Sequence, residues 1–193
     1  TAAEVKAAYE AGVRHIGENR VSEAEEKRPK LDLPEATWHM VGHIQSRKPE
    51  RAAACFDYVQ SVDRVKIARY LDRAAEHEAP MPVLIEVNAG GEESKYGFPA
   101  DDPDRLARAV EEILELSHIR VEGLMTVAPI AKDPEEVRPV FARLRTIRDG
   151  LQARFPEGSW THLSMGMTDD YPVAVEEGAT MVRIGRAIFG PRR

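Results

Sequence analysis

The chain has 193 residues and a formal net charge of −6, and this length is typical of one domain with a sizeable core. The acidic balance argues against a nucleic-acid partner, because domains that bind phosphate backbones carry a basic stripe. There is no run of about 18 apolar residues and no signal-like start, so we expect neither a membrane span nor a leader. The lone cysteine, Cys55, fits a packed thiol in a reducing cytoplasm.

Short apolar runs alternate with amphipathic stretches along the whole chain. The runs are residues 15–19, 37–44, 58–62, 81–89, 119–128, 160–166 and 181–189. Such near-continuous runs are typical of parallel strands that are buried on both faces. Apolar side chains recur at helical spacing in residues 67–75, 106–114 and 137–151, the last with Pro139 in its first turn. We therefore expect one α/β domain, residues 1–193, built around a parallel sheet.

The number of strands distinguishes between two architectures. The seven runs are one fewer than a closed (β/α)8 TIM-type barrel requires. The chain opens with Thr1-Ala-Ala-Glu4, a capping box that starts a helix and so belongs after a strand. This favours a TIM-type barrel whose first strand is apparently absent from the chain. An open, doubly wound sheet is the alternative, but its glycine loop usually follows the first strand, whereas the glycine-bearing loops of this chain come last.

The last two runs lead into loops that could hold a phosphate. These loops are residues 164–168 and 185–190, and barrels often build a phosphate site after their seventh and eighth strands. Gly166 lets the backbone approach an anion closely, and Ser164 offers a hydroxyl. Thr168 can cap a following helix whose free N–H groups suit an anion. The same residue types are ordinary in turns, so spacing alone leaves both interpretations open.

Two polar residues on the strands are candidate ligand contacts. Arg183 lies between Val182 and Ile184 in a buried strand, where an unpaired charge is costly. It therefore either forms a structural salt bridge or faces a ligand nitrogen beside the phosphate. Asn19 follows the first run, at the strand end where functional residues of barrels cluster, or it caps the next helix.

A pair of histidines raises the possibility of a metal site. His39 and His43 are four residues apart in one run, which places both on the same face of a strand. No third ligand accompanies them, and barrel metallohydrolases have a tighter His-x-His pattern. We therefore interpret both as packed or hydrogen-bonded histidines and expect no metal.

Several motifs together resemble one family. They are Gly17-Glu-Asn19, Trp38–Ser46, Asn88–Phe98, Gly123-Leu-Met125, Leu163–Asp170 and Val182–Gly190. In order and spacing they closely resemble the pyridoxal phosphate homeostasis proteins, single barrels similar to the N-terminal domain of alanine racemase. The resemblance implies that the cofactor pyridoxal 5'-phosphate is bound by Asn19, Ser164, Gly166, Met167, Arg183, Gly185 and Arg186. In that set Arg183 faces the pyridine nitrogen, Asn19 lines the pocket and the other five surround the phosphate.

The chain departs from the family at two places. Many relatives have threonine at the position of Arg186, so a backbone contact would persist there but a hydroxyl contact would not. The family's cofactor lysine lies in a Ser-Lys-Thr-Lys-like stretch on the first strand, upstream of the helix that opens this chain. None of the seven lysines present matches that stretch, and we assign the Schiff-base role to none of them. They are Lys6, Lys27, Lys30, Lys48, Lys66, Lys95 and Lys132.

The resemblance implies a cytoplasmic, monomeric carrier that sequesters pyridoxal phosphate and delivers it to apoenzymes, without turnover. An alanine-racemase-like enzyme is the alternative, but racemisation needs proton donors and acceptors on both faces of the substrate. Racemases resembling this barrel take one of these groups from a second domain, and the chain ends just past its last strand. A barrel for another phosphorylated small molecule, such as a sugar phosphate isomerase, would need a placed base. Glu18 and Glu86 qualify for that role only by position.

Overall fold

A computed structural model of the chain describes residues 1–45, 49–75, 79–92 and 94–191. The strands are β1 (His15–Glu18), β2 (Thr37–Met40), β3 (Tyr58–Val62), β4 (Met81–Asn88), β5 (Phe98–Pro99), β6 (Ile119–Met125), β7 (His162–Met167) and β8 (Met181–Arg183). The helices are α1 (Ala2–Glu10), α2 (Val21–Lys27), α3 (Pro49–Cys55), α4 (Val65–Ala74), α5 (Pro103–Leu114), α6 (Arg138–Arg154), α7 (Tyr171–Glu176) and α8 (Arg186–Phe189). Short 3₁₀ turns lie at Arg28–Lys30 and Pro134–Val137.

The strands form one parallel sheet in the order β1-β2-β3-β4-β6-β7-β8, with the two-residue β5 attached to β4. Each main strand pairs with the next main strand along the chain. A doubly wound sheet instead reverses its strand order at a switch point. The sequential order therefore rules out the open-sheet alternative.

Contacts across the inside of the sheet show that it is rolled. In a flat sheet, three steps of about 4.8 Å would separate β3 from β7 by roughly 14 Å. The side chains of Gln60 on β3 and Ser164 on β7 are nevertheless only 2.7 Å apart. Within the described residues β1 pairs only with β2, and β8 only with β7, so the barrel is open between β8 and β1. The expected barrel with seven main strands and a gap is confirmed.

Alternation along β4 explains why its sequence is apolar almost throughout. Val83, Ile85 and Val87 pack in the main core, which also contains the buried faces of the helices. Leu84 points to the other face and joins Tyr58 in a second cluster inside the barrel. Because β4 is buried on both sides, period-two alternation between apolar and polar residues is lost from its sequence.

Helix signals in the sequence located α1, α4, α5 and α6. α1 begins after Thr1, whose hydroxyl accepts from the Glu4 backbone N–H in the expected capping box. Pro139 lies in the first turn of α6, where the missing N–H removes no intrahelical bond. None of the helices in the described ranges is long and apolar enough to cross a bilayer.

Three of the predicted strands were too long. The strand expected over residues 37–44 ends at Met40, and that over residues 119–128 ends at Met125. The last run, 181–189, is strand only to Arg183 and then forms the short helix α8. Apolar runs cannot by themselves distinguish a strand from a short helix, and this ambiguity accounts for the last run. In the other two, residues 41–44 and 126–128 continue as loop.

Candidate functional site

Arg183 lies at the end of β8 with its guanidinium inside the barrel. Its Nη1 donates to the Ser164 hydroxyl and its Nη2 donates to the Thr126 carbonyl, and each donor–acceptor distance is 2.7 Å. Burial lowers the pKa of Arg183 to about 10, against the opposing fields of the Glu86 and Asp170 carboxylates. Neither carboxylate forms an ion pair with it within the described residues, so hydrogen bonds rather than a structural salt bridge hold Arg183 in place. The group stays positively charged at neutral pH.

Ser164 on β7 is fully buried beside this guanidinium. Its hydroxyl donates to Gln60 Oε1 on β3 at a distance of 2.7 Å, and its oxygen accepts from Arg183. A serine hydroxyl has one hydrogen to donate, and here Gln60 takes it. The hydroxyl therefore offers no free hydrogen to a phosphate in this arrangement, although it lies where the sequence pattern predicted a site residue.

His39 on β2 extends the polar interior further. Its Nδ1 lies 3.0 Å from Gln60 Nε2, and its Nε2 lies 2.9 Å from His15 Nδ1. The Tyr58 ring stacks on it with centroids 4.8 Å apart. Burial, and then the neighbouring His15, lower the pKa of His39 to about 4, so the ring is neutral at pH 7. The interpretation of His39 as a hydrogen-bonded histidine is confirmed.

His43 is separate from His39. β2 ends at Met40, so the two histidines do not share a strand face and that prediction was wrong. His43 Nδ1 lies 2.8 Å from an Asp63 carboxylate oxygen, and its ring stacks on Tyr96 with centroids 3.6 Å apart. Among the described residues no group of three or more His, Cys, Asp or Glu side chains could hold a metal ion.

The loop after β7 meets the start of α8, which follows β8, as the spacing predicted. The Ala187 backbone N–H donates to Thr168 Oγ1 at a distance of 3.4 Å, and Arg186 forms an ion pair with Asp169. The predicted capping role of Thr168 was wrong, because Asp170 occupies the N-cap position of α7. The Asp170 side chain bends back instead and accepts from the Met167 backbone N–H over 2.6 Å.

Two glycines, one near the end of β7 and one just before α8, differ in what surrounds them. Gly166 has φ +94°, and a Cβ there would lie 2.7 Å from the Ala174 Cβ. Only glycine therefore allows β7 to turn closely against α7. At Gly185, the residue before α8, a Cβ would have no heavy atom within 4 Å, which leaves the backbone open to an incoming group.

Asn19 is exposed just beyond the C-terminal end of β1. A Cβ added at Gly42 would lie 2.2 Å from the backbone carbonyl oxygen of Asn19. Glycine at position 42 therefore allows the loop after β2 to approach the loop after β1. The N-cap residue of α2 is Arg20, which removes the capping interpretation of Asn19. Of the predicted site residues, the structure joins Ser164 directly to Arg183. It places Gly166 and Met167 at the end of β7, and Gly185 and Arg186 at the start of α8. No hydrogen bond within the described residues links the Asn19 side chain to these six.

A cleft of about 250 Å³ lies beside the end of β4. It is lined by Glu86, Val87, Asn88, Ser94, Lys95, Tyr96 and Val127. Glu86 is only 7% exposed, and its Oε2 has no hydrogen-bond partner among the described residues. Burial, and then the nearby Asp63 carboxylate, raise the pKa of Glu86 to about 7, while Arg183 opposes the shift. Lys95 is engaged at the rim, donating to the Ala128 carbonyl over 2.8 Å.

No lysine of the described residues lies on a strand, so none occupies the kind of position that the family's Schiff-base lysine has. Lys48 lies outside the described residues, as do Ser46 and Glu93 of the family-like motifs.

Sequence reasoning missed Gln60, which is 4% exposed in the centre of the site. The signal was present, because Gln60 is a polar residue within a strand that is buried along its whole length.

Comparisons with known proteins identify the family. The pattern of the family described as "Alanine racemase, N-terminal domain" matches residues 1–193. The pyridoxal phosphate homeostasis protein of Aquifex aeolicus is 42% identical over 186 residues, covering 96% of this chain and 80% of that protein. The protein of the same name from Pseudomonas aeruginosa is 42% identical over 193 residues, covering 99% and 80%. This chain belongs to the pyridoxal phosphate homeostasis protein family.

Solved structures support membership of the pyridoxal phosphate homeostasis protein family. PipY of Synechococcus elongatus, solved without PLP, is 40% identical with a TM-score of 0.91, covering 98% of this chain and 87% of that one. The structure of PipY with PLP bound is 39% identical with a TM-score of 0.89, at the same coverage. Alanine racemase of Clostridium difficile, 18% identical, has a TM-score of 0.75 over 95% of this chain and 47% of that one. This last likeness shows a shared fold.

Proposed function

We propose that residues 1–193 form one unit that binds pyridoxal 5'-phosphate and serves in its homeostasis, sequestering the cofactor and passing it on without turnover. The observation that carries the proposal is the guanidinium of Arg183, held inside the barrel by Ser164 and Thr126. An arginine has five N–H donors, and these two bonds leave others for a ligand. A pyridine nitrogen accepts one hydrogen bond, and arginine supplies it without losing its proton.

The proposed phosphate contacts come from the end of β7 and from the start of α8. Gly185 offers open backbone just before α8. Arg186 beside it is exposed but paired with Asp169, so its guanidinium would have to share that partner with a phosphate. The backbone N–H of Met167 is already bonded to Asp170, so its contact with a phosphate requires that bond to open. The remaining proposed contacts are Gly166, Ser164 and, on the far side of the opening, Asn19. A hydroxyl contact from Ser164 to the phosphate would require its bond to Gln60 to open. The likeness to PipY, which was solved with PLP bound, supports the binding of PLP by this chain.

The absence of turnover is also part of the proposal. Pyridoxal phosphate, when bound, supplies an aldehyde and an electron sink. The sink is strongest when the ring nitrogen is protonated, and Arg183, with a pKa of about 10, is a donor that does not give up its proton at neutral pH. Relatives that are named homeostasis proteins rather than enzymes support the same conclusion.

Other features of the proposal are a monomeric state, a cytoplasmic location, and delivery to pyridoxal-phosphate-dependent apoenzymes. The single cysteine, Cys55, supports a reducing compartment. Delivery is measured by mixing the loaded protein with such an apoenzyme and following the return of its activity. An apoenzyme that recovers no faster than in buffer with the same free cofactor concentration would exclude delivery.

Binding is tested by titrating the full chain with pyridoxal phosphate and following its absorbance and the protein's fluorescence. Arg183→Met removes the donors inside the barrel, and we expect the dissociation constant to rise about 10- to 100-fold, the range for hydrogen bonds to a charged group. Arg69→Met is the matched control, because Arg69 is exposed on α4 and pairs with Glu112. Equal affinity of the Arg183 and Arg69 variants would refute the proposed site.

A further inference from the structure

A continuous line of polar side chains crosses the inside of the barrel from β8 to β1. Its members in order are Arg183, Ser164, Gln60, His39 and His15, with successive contacts of 2.7, 2.7, 3.0 and 2.9 Å. We propose that Gln60 and His39 are positioning residues of the ligand site, acting through this relay to fix Ser164 and Arg183. The inference rests on the proposed function and deepens it.

The relay has one direction, and Arg183 sets it. A guanidinium can only donate, so the Ser164 oxygen must accept from it. The single hydroxyl hydrogen of Ser164 then goes to Gln60, which receives it on Oε1. Gln60 therefore points its Nε2 hydrogens at His39 Nδ1, which must be unprotonated. A neutral imidazole carries its hydrogen on the other nitrogen, so His39 donates from Nε2 to His15 Nδ1.

Burial makes each link depend on its neighbours. Ser164 is 0% exposed, Gln60 is 4% exposed and His39 is 3% exposed. Breaking one bond inside such an interior leaves a polar atom that water cannot satisfy, which costs more than the bond itself contributed. Met181 also restrains the Gln60 amide, because its sulfur lies 3.7 Å from Nε2. The amide thus has one arrangement that satisfies all of its neighbours.

This arrangement orders the ligand site before any ligand arrives. Arg183 is anchored on the Ser164 hydroxyl, and that hydroxyl has one orientation because Gln60 is its acceptor. Without Gln60 the hydroxyl would rotate, and the guanidinium would lose a fixed partner. Ligand binding would then have to order both groups, which lowers affinity without removing any atom that touches the ligand.

The relay itself is tested without ligand, by nitrogen-15 NMR of the histidines in the full chain. In the wild type we expect His39 to be protonated at Nε2 and unprotonated at Nδ1. Gln60→Met keeps the length of the side chain but cannot donate, so the Nδ1 signal should move toward that of a free acceptor. Arg183→Met should also shift the His39 signals, although Arg183 contacts His39 through two intervening side chains.

Ser61→Ala is the matched control for the relay. Ser61 is the next residue on β3 and is 0% exposed. On the opposite face of the strand its hydroxyl donates to the Gly42 carbonyl at a distance of 2.7 Å. Its loss removes one buried hydrogen bond and should leave the histidine signals in place. His39 signals that are the same in the wild type and in the Gln60 variant, with native backbone spectra in both, would overturn the relay.

The effect on the site is measured as affinity for pyridoxine 5'-phosphate, which has an alcohol in place of the aldehyde and forms no imine with a lysine. Gln60→Met should raise the dissociation constant about 3- to 10-fold, the effect of one or two lost neutral hydrogen bonds. Ser61→Ala should leave it unchanged. Wild-type affinity in the Gln60 variant would refute the positioning role. A wild-type chain that binds neither pyridoxine phosphate nor pyridoxal phosphate would refute the proposed function, while the NMR result still decides the relay.

Discussion

The Gln60 amide on β3 accepts a 2.7 Å hydrogen bond from the Ser164 hydroxyl on β7, joining residues that are 104 positions apart in the sequence. This bond is possible only because the sheet is rolled. It also connects the β1-β2-β3 part of the barrel to the β7-β8 part that carries the proposed cofactor contacts. Folding of the sheet and ordering of the site are therefore coupled through one buried contact.

The pairing of β6 with β7 depends on a glycine. Gly123 has φ +148°, and a Cβ there would lie 1.9 Å from the His162 carbonyl oxygen on the adjacent strand. Gly123→Ala must both strain the backbone and push the strands apart, so we expect a loss of about 2–4 kcal/mol in the free energy of unfolding. Urea denaturation followed by circular dichroism measures this change.

Gly150→Ala is the control for that substitution. Gly150 is exposed in α6, with no atom within 4 Å of a Cβ there. Alanine should raise the free energy of unfolding by roughly 0.5–1 kcal/mol, because glycine is the poorer helix former. If both substitutions changed stability in the same direction, the steric account of Gly123 would be wrong.

Glu86 should make the fold less stable as the pH rises. Its pKa is raised to about 7 in the folded chain, so between pH 4.5 and 7 the folded state binds a proton that the unfolded state has released. The free energy of unfolding therefore falls as the pH rises through this window, by at most about 3 kcal/mol. Glu86→Gln removes this contribution, and the variant should gain stability relative to the wild type most strongly above pH 7.

His39 gives the opposite slope over nearly the same window. Its pKa is lowered to about 4, so between pH 4 and 6.5 the unfolded state binds a proton that the folded state excludes. Its contribution to stability is complete above pH 6.5 and is lost as the pH falls toward 4. The two groups offset each other in the wild type, so stability of Glu86→Gln should fall toward acid more steeply than that of the wild type. Parallel stability profiles of the two proteins from pH 4.5 to 7 would contradict the Glu86 assignment. A Glu86→Gln profile that does not fall as the pH drops from 6.5 to 4 would contradict the His39 assignment.

The helices were predictable because their signals are local. The capping box at Thr1, the proline in the first turn of α6 and the apolar spacing of α4 and α5 each lie within a few residues of one another. The error at residues 181–189 has a different origin. Whether an apolar run continues as strand or turns into a helix is decided there by Gly185 and by the edge position of β8, and neither effect is visible in the run itself.

The candidate site was predictable where a residue broke a local rule. Arg183 was found because a charge between apolar residues of a predicted buried strand needs an explanation. The strand was wrongly predicted to be buried, because Val182 on β8 is exposed, but the Arg183 guanidinium does lie inside the barrel. Gln60 broke the same rule in a milder form and was missed. Its role depends on Ser164 and His39, which come from β7 and β2, and such a meeting of distant strands follows only from the rolled sheet. The hydroxyl of Ser164 could not be assigned to Gln60 for the same reason.

The chain of 193 residues should bind pyridoxal phosphate without a stable covalent link. Its described lysines lie on helices, turns and loops rather than on strands, and Lys95 is already bonded to the Ala128 carbonyl and to Glu92. After cofactor is added, borohydride reduction and digestion should give no single stoichiometric adduct. A reduced cofactor on one lysine at one equivalent per chain would show that the Schiff-base role had been wrongly withheld from that residue.

Purified chain with excess pyridoxal phosphate should not convert L-alanine to D-alanine faster than the cofactor does alone. Racemisation needs an acid and a base on opposite faces of the reacting carbon. Around Arg183, His39 is committed to hydrogen bonds with Gln60 and His15 and is kept neutral by burial. Asp63 is paired with Arg64, Asp170 accepts from the Met167 backbone N–H, and Lys95 is paired with Glu92. Among these described groups Glu86, with a pKa raised to about 7, is the candidate base. One such group can remove a proton but cannot return it on the other face. D-alanine is measured by chiral chromatography over many equivalents of substrate. Multiple turnovers that disappear in Arg183→Met but persist in Arg69→Met would overturn the assignment as a carrier.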